Sequence, residues 1–292
     1  MRRLFLALAA LLAGLALAGC HDARQVSASP PLWKVSDGDT TIWLLGSIHM
    51  LPANIRWRTP AVEAAIADSN RLILEIPPGD PGKASAAFLK KARARQAVAI
   101  EQRLPRAKRA LLGAAVKHAG VERATLDGLK DWGAALMLAA GDAREAGATR
   151  ADGVEAVLTG EFQAAEKPID AFETLDEQFA IFDSLNPADQ RRLLTNAVTD
   201  AASDDGYARG LAAWRAGDAK ALESAADMLF TDAPGLKAAL LTRRNARWAA
   251  RIKREMRRPE TVLIAVGAGH LAGDDGLPAL LARKGYAVTR VQ

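Results

Sequence analysis

Cysteine is almost missing from this chain. Cys20 is the one cysteine in 292 residues, so no internal disulfide can staple the fold and no cysteine cluster can hold a metal. Aromatic residues make up only 5% and alanine is abundant, which points to a core of small side chains in close-packed helices. There is no strong excess of either charge: the formal total is +5. Its basic residues are scattered through helical stretches such as 90–109 and 243–258, which excludes nucleic acid as an expected partner. Periodic repeats are absent, as are low-complexity tracts beyond the alanine richness.

One uninterrupted apolar run stands out, Leu4 to Leu17, broken only by Gly14. It is too short to span a bilayer comfortably and follows the basic Met1-Arg2-Arg3, as in a secretory signal. It ends in Leu17-Ala18-Gly19-Cys20, where small residues let a peptidase reach the bond before the thiol; this resembles a bacterial lipobox. Three segments are therefore expected: a signal peptide over 1–19, a lipidated tether over 20–31, and a folded body over 32–292. Cleavage removes Arg2 and Arg3 and no acid, lowering the formal charge from +5 to +3. The expected location is the cell envelope, periplasm-facing, with the membrane as partner through lipid on Cys20. His21 rather than aspartate follows that cysteine, which favours the outer membrane. His21 to Pro31 is polar and aperiodic and reads as a tether.

In the body, Leu32–Val35 and Thr41–Leu45 are β-rich runs separated by Ser36-Asp37-Gly38-Asp39, a hairpin pattern. Thr59 before Pro60 predicts a capped helix over 60–69. Arg71–Ile76 reads as a buried strand stopped by Pro77-Pro78. Residues 83–165 and 174–258 are helical in pattern, with a short strand at Lys167–Phe172 between them. Thr261–Val266 is a continuous apolar strand, followed by a helix at 276–284 and a closing strand at Tyr286–Val291. This order predicts an α/β fold: a mixed sheet formed from both ends of the chain, flanked by helices, with a helical middle insertion.

Four of these strands deliver a polar group at or just past the carboxyl end: His49, Glu75, Glu173 and His270. Ligands bind outside the carboxyl ends of strands in open α/β sheets. Two imidazoles with one or two carboxylates suit zinc or manganese. Both histidines follow an apolar strand, a glycine and two further residues, and glycine permits close backbone approach. Glu75 within Leu-Ile-Leu-Glu-Ile is costly to bury without a partner. Glu173 could instead cap the helix beginning near Thr174. His118 lies in an amphipathic helical stretch and reads as part of a solvated helix face.

The motif Trp43-Leu44-Leu45-Gly46-Ser47-Ile48-His49 resembles the opening block of the TraB/GumN family, which includes the Tiki-type metalloproteases. Leu74-Glu75, Asp152-Gly153-Val154-Glu155, Pro168-Ile169, Phe172-Glu173-Thr174 with Gln178, Arg244-Asn245 with Trp248, and Val266-Gly267-Ala268-Gly269-His270-Leu271 are similar to its later blocks. Ser47 replaces the usual threonine and Phe172 the usual leucine. The resemblance implies a fold like that of erythromycin esterases and ChaN-type haem-binding lipoproteins. It also implies metal-dependent peptide cleavage using Mn, Co or Zn, with His49 and His270 as ligands and Glu75 as ligand or general base. Arg244 and Asn245 would stabilise an oxyanion or fix the geometry.

Three functions fit these residues: a lipid-anchored metal-dependent hydrolase acting on a peptide or protein substrate, a non-catalytic haem- or metal-binding lipoprotein, and an interaction protein with a relic site. A haem site wants an available tyrosine or histidine, and the chain has two tyrosines, Tyr207 and Tyr286. Substitutions at His49, Glu75 and His270 are expected to spare stability, because a cleft is not a packed core.

Overall fold

A computed structural model describes residues 25–203, 206–230 and 233–292. The predicted signal segment, Cys20 and His21 lie outside the described residues. Among the described residues, no helix is long and apolar enough to cross a membrane.

The hairpin forms as expected. Strand β1 (Leu32–Ser36) runs antiparallel to β2 (Thr41–Ser47), in the register Leu32 to Leu45 and Ser36 to Thr41. Asp37 closes the turn by accepting from Thr40 N–H at 3.0 Å. Helix α1 (Pro60–Asp68) follows, with Thr59 accepting from Val62 N–H and Pro60 at the first turn. Strands β3 (Arg71–Leu74), β4 (Ile169–Ala171), β5 (Thr261–Gly267) and β6 (Ala287–Arg290) complete a six-stranded sheet in the order β6-β1-β2-β5-β3-β4. The four strands from β2 to β4 in that order are mutually parallel, while β1 is antiparallel to both neighbours. The sheet is therefore mixed and built from both ends of the chain. β5, the fifth in sequence, pairs with β2 on one side and β3 on the other.

Both faces of the central strands are covered, so they read as continuous apolar runs rather than alternating ones. Trp43, Leu45, Leu72, Leu74, Leu263 and Ala265 pack on one face against α1, helix α3 (Val154–Ala164) and Trp214. Ile42, Leu44, Ile73, Val262, Ile264 and Val266 face the other way, toward Trp248, Ala249 and Ile252 of helix α8 (Arg243–Glu255).

The middle insertion forms a separate apolar cluster in which helix α2 (Asp131–Glu145) packs on α5 (Pro187–Ser203), with α4 (Leu175–Asp183) alongside. Its alanine content has a direct use. A Cβ at Gly141 would meet Ala119 at 2.4 Å, and one at Gly133 would meet Ala92 at 2.6 Å, so these backbones touch through the smallest side chains available. Trp132 is the exception, fully buried and ringed by Phe88, Phe179 and Phe182.

The expected tether boundary shifts. Val26–Ser27 pairs with Ile55–Arg56, while Ala28, Pro30 and Pro31 are buried, so residues 25–31 belong to the folded body. Their apolar groups, Val26, Ala28 and Pro30, come at every second position, with Ser27 and Ser29 masking the alternation.

Candidate functional site

The carboxyl ends of β2, β5, β3 and β4 lie side by side, each strand about 4.8 Å from the next. Gly46 of β2 stands opposite Val266 of β5, so the two Gly-x-x-His segments leave the sheet one residue out of step. They pack on each other. A Cβ at Gly46 would lie 2.5 Å from Pro31 Cγ and 3.2 Å from Ala268 Cβ, which is why glycine occupies the position. Its backbone is held further by Gly46 N–H donating to Pro31 O and by Trp214 Nε1–H donating to Gly46 O, both at 2.8 Å.

Beyond β2, the chain lies against the start of α3. Val154 N–H donates to Ile48 O, and a Cβ at Gly153 would strike His49 O at 2.2 Å. Glu155, the residue after Val154, takes His49 Nδ1 at 2.7 Å and the Ser47 hydroxyl at 2.5 Å. His49 is the exposed member of the site, with 58% of its side chain accessible. The Glu155 carboxylate raises the imidazole to about 9 against a smaller opposing effect of burial, so the ring carries a proton at neutral pH. Glu155 is correspondingly lowered: burial pushes its carboxyl up, and the charge and hydrogen bond of His49 outweigh this.

His270 has the opposite character. A short 3-10 turn, Ala268–Leu271, carries it back into the protein, where it is 5% exposed and tilted against Trp248 at 4.4 Å. Asn245 Nδ2 donates to Asp275 O at 2.8 Å, which leaves Asn245 Oδ1 to accept from His270 Nδ1–H. The ring is thereby fixed with its Nε2 lone pair accepting from Arg244 Nη1–H at 3.1 Å. Burial pushes the imidazole down to about 4, Glu75 opposes this, and the Arg244 charge adds to it, so His270 is neutral.

Glu75 stands beside His270 as the buried negative charge of the site. Its Oε1 accepts from Gly267 N–H at 2.7 Å and lies 3.7 Å from His270 Nε2. Its Oε2 accepts from Arg244 Nη2 at 2.7 Å and from Gln178 at 3.3 Å. Burial pushes the carboxyl up, but the surrounding positive groups, His270 when protonated and Arg244 above all, outweigh it and hold it at about 2. His49 acts electrostatically on both Glu75 and His270, so the three groups share one field.

Arg244 ties the neighbouring strands together. Besides Glu75 it bonds Glu173, Nε to Oε2 at 3.0 Å. Glu173 also accepts from Arg247 at 2.9 Å and from Trp248 Nε1–H at 3.2 Å. The cap of α4 is instead Thr174, which forms a capping box with Glu177, so Glu173 is released from that role. Helix α8 supplies Arg244, Asn245, Arg247 and Trp248 from its first two turns. A π-helical turn, Ala238–Thr242, leads into it, and its Leu240 carbonyl accepts from Arg244.

A model of the TraB/PrgY/gumN family matches residues 31–290. The chain belongs to the TraB/PrgY/gumN family. No curated protein and no solved structure matches it. In this TraB/PrgY/gumN protein the six residues read from the sequence, His49, Glu75, Glu173, Arg244, Asn245 and His270, all lie at the carboxyl end of one sheet. His118, in helix 112–119, lies apart from them. Glu155 joins the site although the sequence marks it only as the last residue of Asp152-Gly153-Val154-Glu155; its signal is an acid in the first turn of a helix capped by glycine. Both departures from the usual motif touch the site at one remove. Ser47 bonds Glu155, and Phe172 stacks on Trp248 at 4.9 Å. The cleft expectation is corrected: Glu75, Glu173, Arg244, Asn245 and His270 are all buried, because each polar atom finds a partner within the network.

A divalent ion suits this donor set in kind. Each histidine has Nδ1 engaged by a side-chain oxygen, the arrangement that orients metal-ligating imidazoles, and a carboxylate stands beside them. Among the described residues, no three His, Cys, Asp or Glu side chains stand close enough to share an ion as they are.

Proposed function

We propose that this chain is a metal-dependent hydrolase of peptide substrates, held to the cell envelope by lipid on Cys20. The observation that carries it is the shared way the two imidazoles are oriented: Nδ1 is held by Glu155 in one and by Asn245 in the other, so Nε2 is the ring atom each would turn to an ion, His270 giving up its contact with Arg244 to do so. His49, His270 and Glu75 would hold a Mn, Co or Zn ion, which when bound lowers the pKa of a water and polarises a carbonyl. Glu75, held near 2, is poorly matched to take a proton at neutral pH and serves as a fixed negative charge. Glu155 and Asn245 orient the imidazoles. Arg244 holds Glu75 and Glu173 in place and presents a positive charge to a developing oxyanion.

A metal-free reading is favoured by one contact. Arg244 already donates to both Glu75 and His270, a fixed cation among the proposed ligands. In that case the His49–Glu155 pair does the acid–base work alone. Calorimetric titration of the soluble body with Mn, Co and Zn, paired with peptide-library hydrolysis before and after chelation, separates the two. Chelator-sensitive cleavage with about one ion per chain supports the metal reading. Cleavage indifferent to chelator and lost in Glu155→Gln supports the other. Absence of cleavage in every condition overturns both. For the anchor, Cys20→Ser should leave the membrane fraction; a variant that stays there overturns it.

A further inference from the structure

Beside the charged network lies a cavity of about 220 Å³ that none of its chemistry uses. Ile48 and Ala268, each lying between the glycine and histidine of its segment, line one side, and Trp214, Leu222 and Met228 line the other. The wall is apolar for identifiable reasons. Trp214 has spent its one donor on Gly46 O and shows only ring. The charged groups of the lining, Asp200 and Arg209, face each other at 3.1 Å. Met228, from helix α7 (Ala219–Phe230), is 52% exposed, an unusual exposure for a large apolar side chain. Flexible, polarizable methionine is a side chain that adapts to varied apolar ligands.

We infer that this cavity is a substrate subsite that takes one large apolar side chain next to the bond to be cleaved. The inference rests on the hydrolase reading and adds its substrate class. Two observations carry it. A cavity of roughly 150 Å³ holds a benzene ring, so 220 Å³ accommodates a leucine, methionine or phenylalanine side chain. And the cavity is lined by the residues just before each histidine, Ser47 and Ile48 in one segment and Ala268 and Gly269 in the other, so a side chain seated there lies against both Gly-x-x-His segments. Glutamate or lysine would lose hydration against the apolar part of this lining, where the two charged groups, Asp200 and Arg209, already pair with each other.

Gly210, in helix α6 (Gly206–Ala216), gives the test. It lines the cavity, and nothing stands within 4 Å of a Cβ placed there. The Cβ of either replacement meets no neighbour; Gly210→Phe should take up cavity space with its ring, and Gly210→Ala should leave it open. Saturation-transfer NMR with N-acetyl-phenylalaninamide, N-acetyl-leucinamide and N-acetyl-glutamic acid amide reads binding without turnover. The apolar amides should bind the wild type and Gly210→Ala, the glutamic acid amide should not, and Gly210→Phe should lose at least tenfold in affinity. Equal binding by wild type and Gly210→Phe, or no discrimination among the three amides, overturns the inference. Where peptide cleavage is found, the preferred residue at the cut should shift from Leu or Phe toward Ala or Gly in Gly210→Phe. Cleavage without that shift overturns the subsite and leaves the hydrolase standing; selective amide binding without any cleavage does the reverse.

Discussion

Strand β3 carries a buried charge cluster at each end, and the two are built on opposite plans. At the amino end, Arg71 is ringed by three carboxylates: Asp170 at 2.6 Å, Glu255 at 2.7 Å, and Glu260. That cluster of described residues contains no imidazole, and the arginine is spent on its partners. At the carboxyl end the arrangement is inverted. Two carboxylates, Glu75 and Glu173, share Arg244, and two imidazoles in different protonation states stand beside them. Helix α8 spans both, giving Arg244 from its first turn and Glu255 from its last. The same strand and helix are thus clamped at one end and chemically poised at the other. Burial and ion pairing do not distinguish a site from a clamp; the presence of groups that can exchange a proton does.

The comparison breaks most readily at the clamp. Arg71→Met keeps the length of the side chain but leaves Glu255 buried with only its longer contacts to Arg251 at 3.5 Å and Arg258 at 3.7 Å. A loss of about 3 kcal/mol is expected in urea unfolding, in the range for breaking a buried pair, with the charge states of His49 and His270 unchanged by NMR. A loss under about 0.5 kcal/mol, the scale of ordinary surface substitutions, would show that the cluster is no clamp.

Acid should act on the same end. Burial pushes the Glu255 carboxyl up, and the hydrogen bond and charge of Arg71 outweigh this, holding it below its ordinary 4.5. Its folded pKa is therefore depressed, so its contribution is complete above the unfolded value and disappears as pH falls through the folded one. The stability gap between wild type and Arg71→Met should narrow from about pH 6 to about pH 3. A gap that widens toward acid would contradict the sign.

Within the site, the two histidines sharpen the contrast. His270→Ala removes a ring packed on Trp248 and strands the Asn245 oxygen, for a loss of about 2 kcal/mol. His49→Ala removes an exposed pair and should cost well under about 1 kcal/mol. Both should abolish turnover. Equal destabilisation by thermal melting would mean that His49 is part of the core. The smallest effect is Glu155→Gln in metal-free protein: the fold should be unchanged while the His49 titration midpoint, read by NMR, moves down from about 9 toward its ordinary 6.5.

The strand ends were legible because the pattern is local: an apolar run, a glycine, then a polar residue. So was a sheet built from both ends of the chain, which the direct pairing of β2 with β5 bears out. Three things were not legible. Arg71 opens an apolar strand and gives no sign that its partners are Asp170, Glu255 and Glu260, which come together only when the sheet closes. Glu155 looks like any acid in a first helical turn until Gly153 lets His49 rest on it. Burial of Glu75 and His270 follows from Arg244, whose two carboxylate partners are contributed by different strands.

β5 is the last parallel strand to be made, and it enters between β2 and β3, which are made long before it. Until Thr261–Gly267 arrives, those two strands have open inner edges, with bonds to offer and none received. His49, Glu75 and Glu173 are already in the growing chain by then, and His270 is not. Chain topology therefore acts as a timer. Synthesis from the amino terminus at about 5–20 residues per second leaves the bulk of the polypeptide waiting for a partner encoded near its end. A copy truncated before Thr261 is left unable to close its sheet and lacks His270, so damage that stops translation early yields a fragment without the completed charge network.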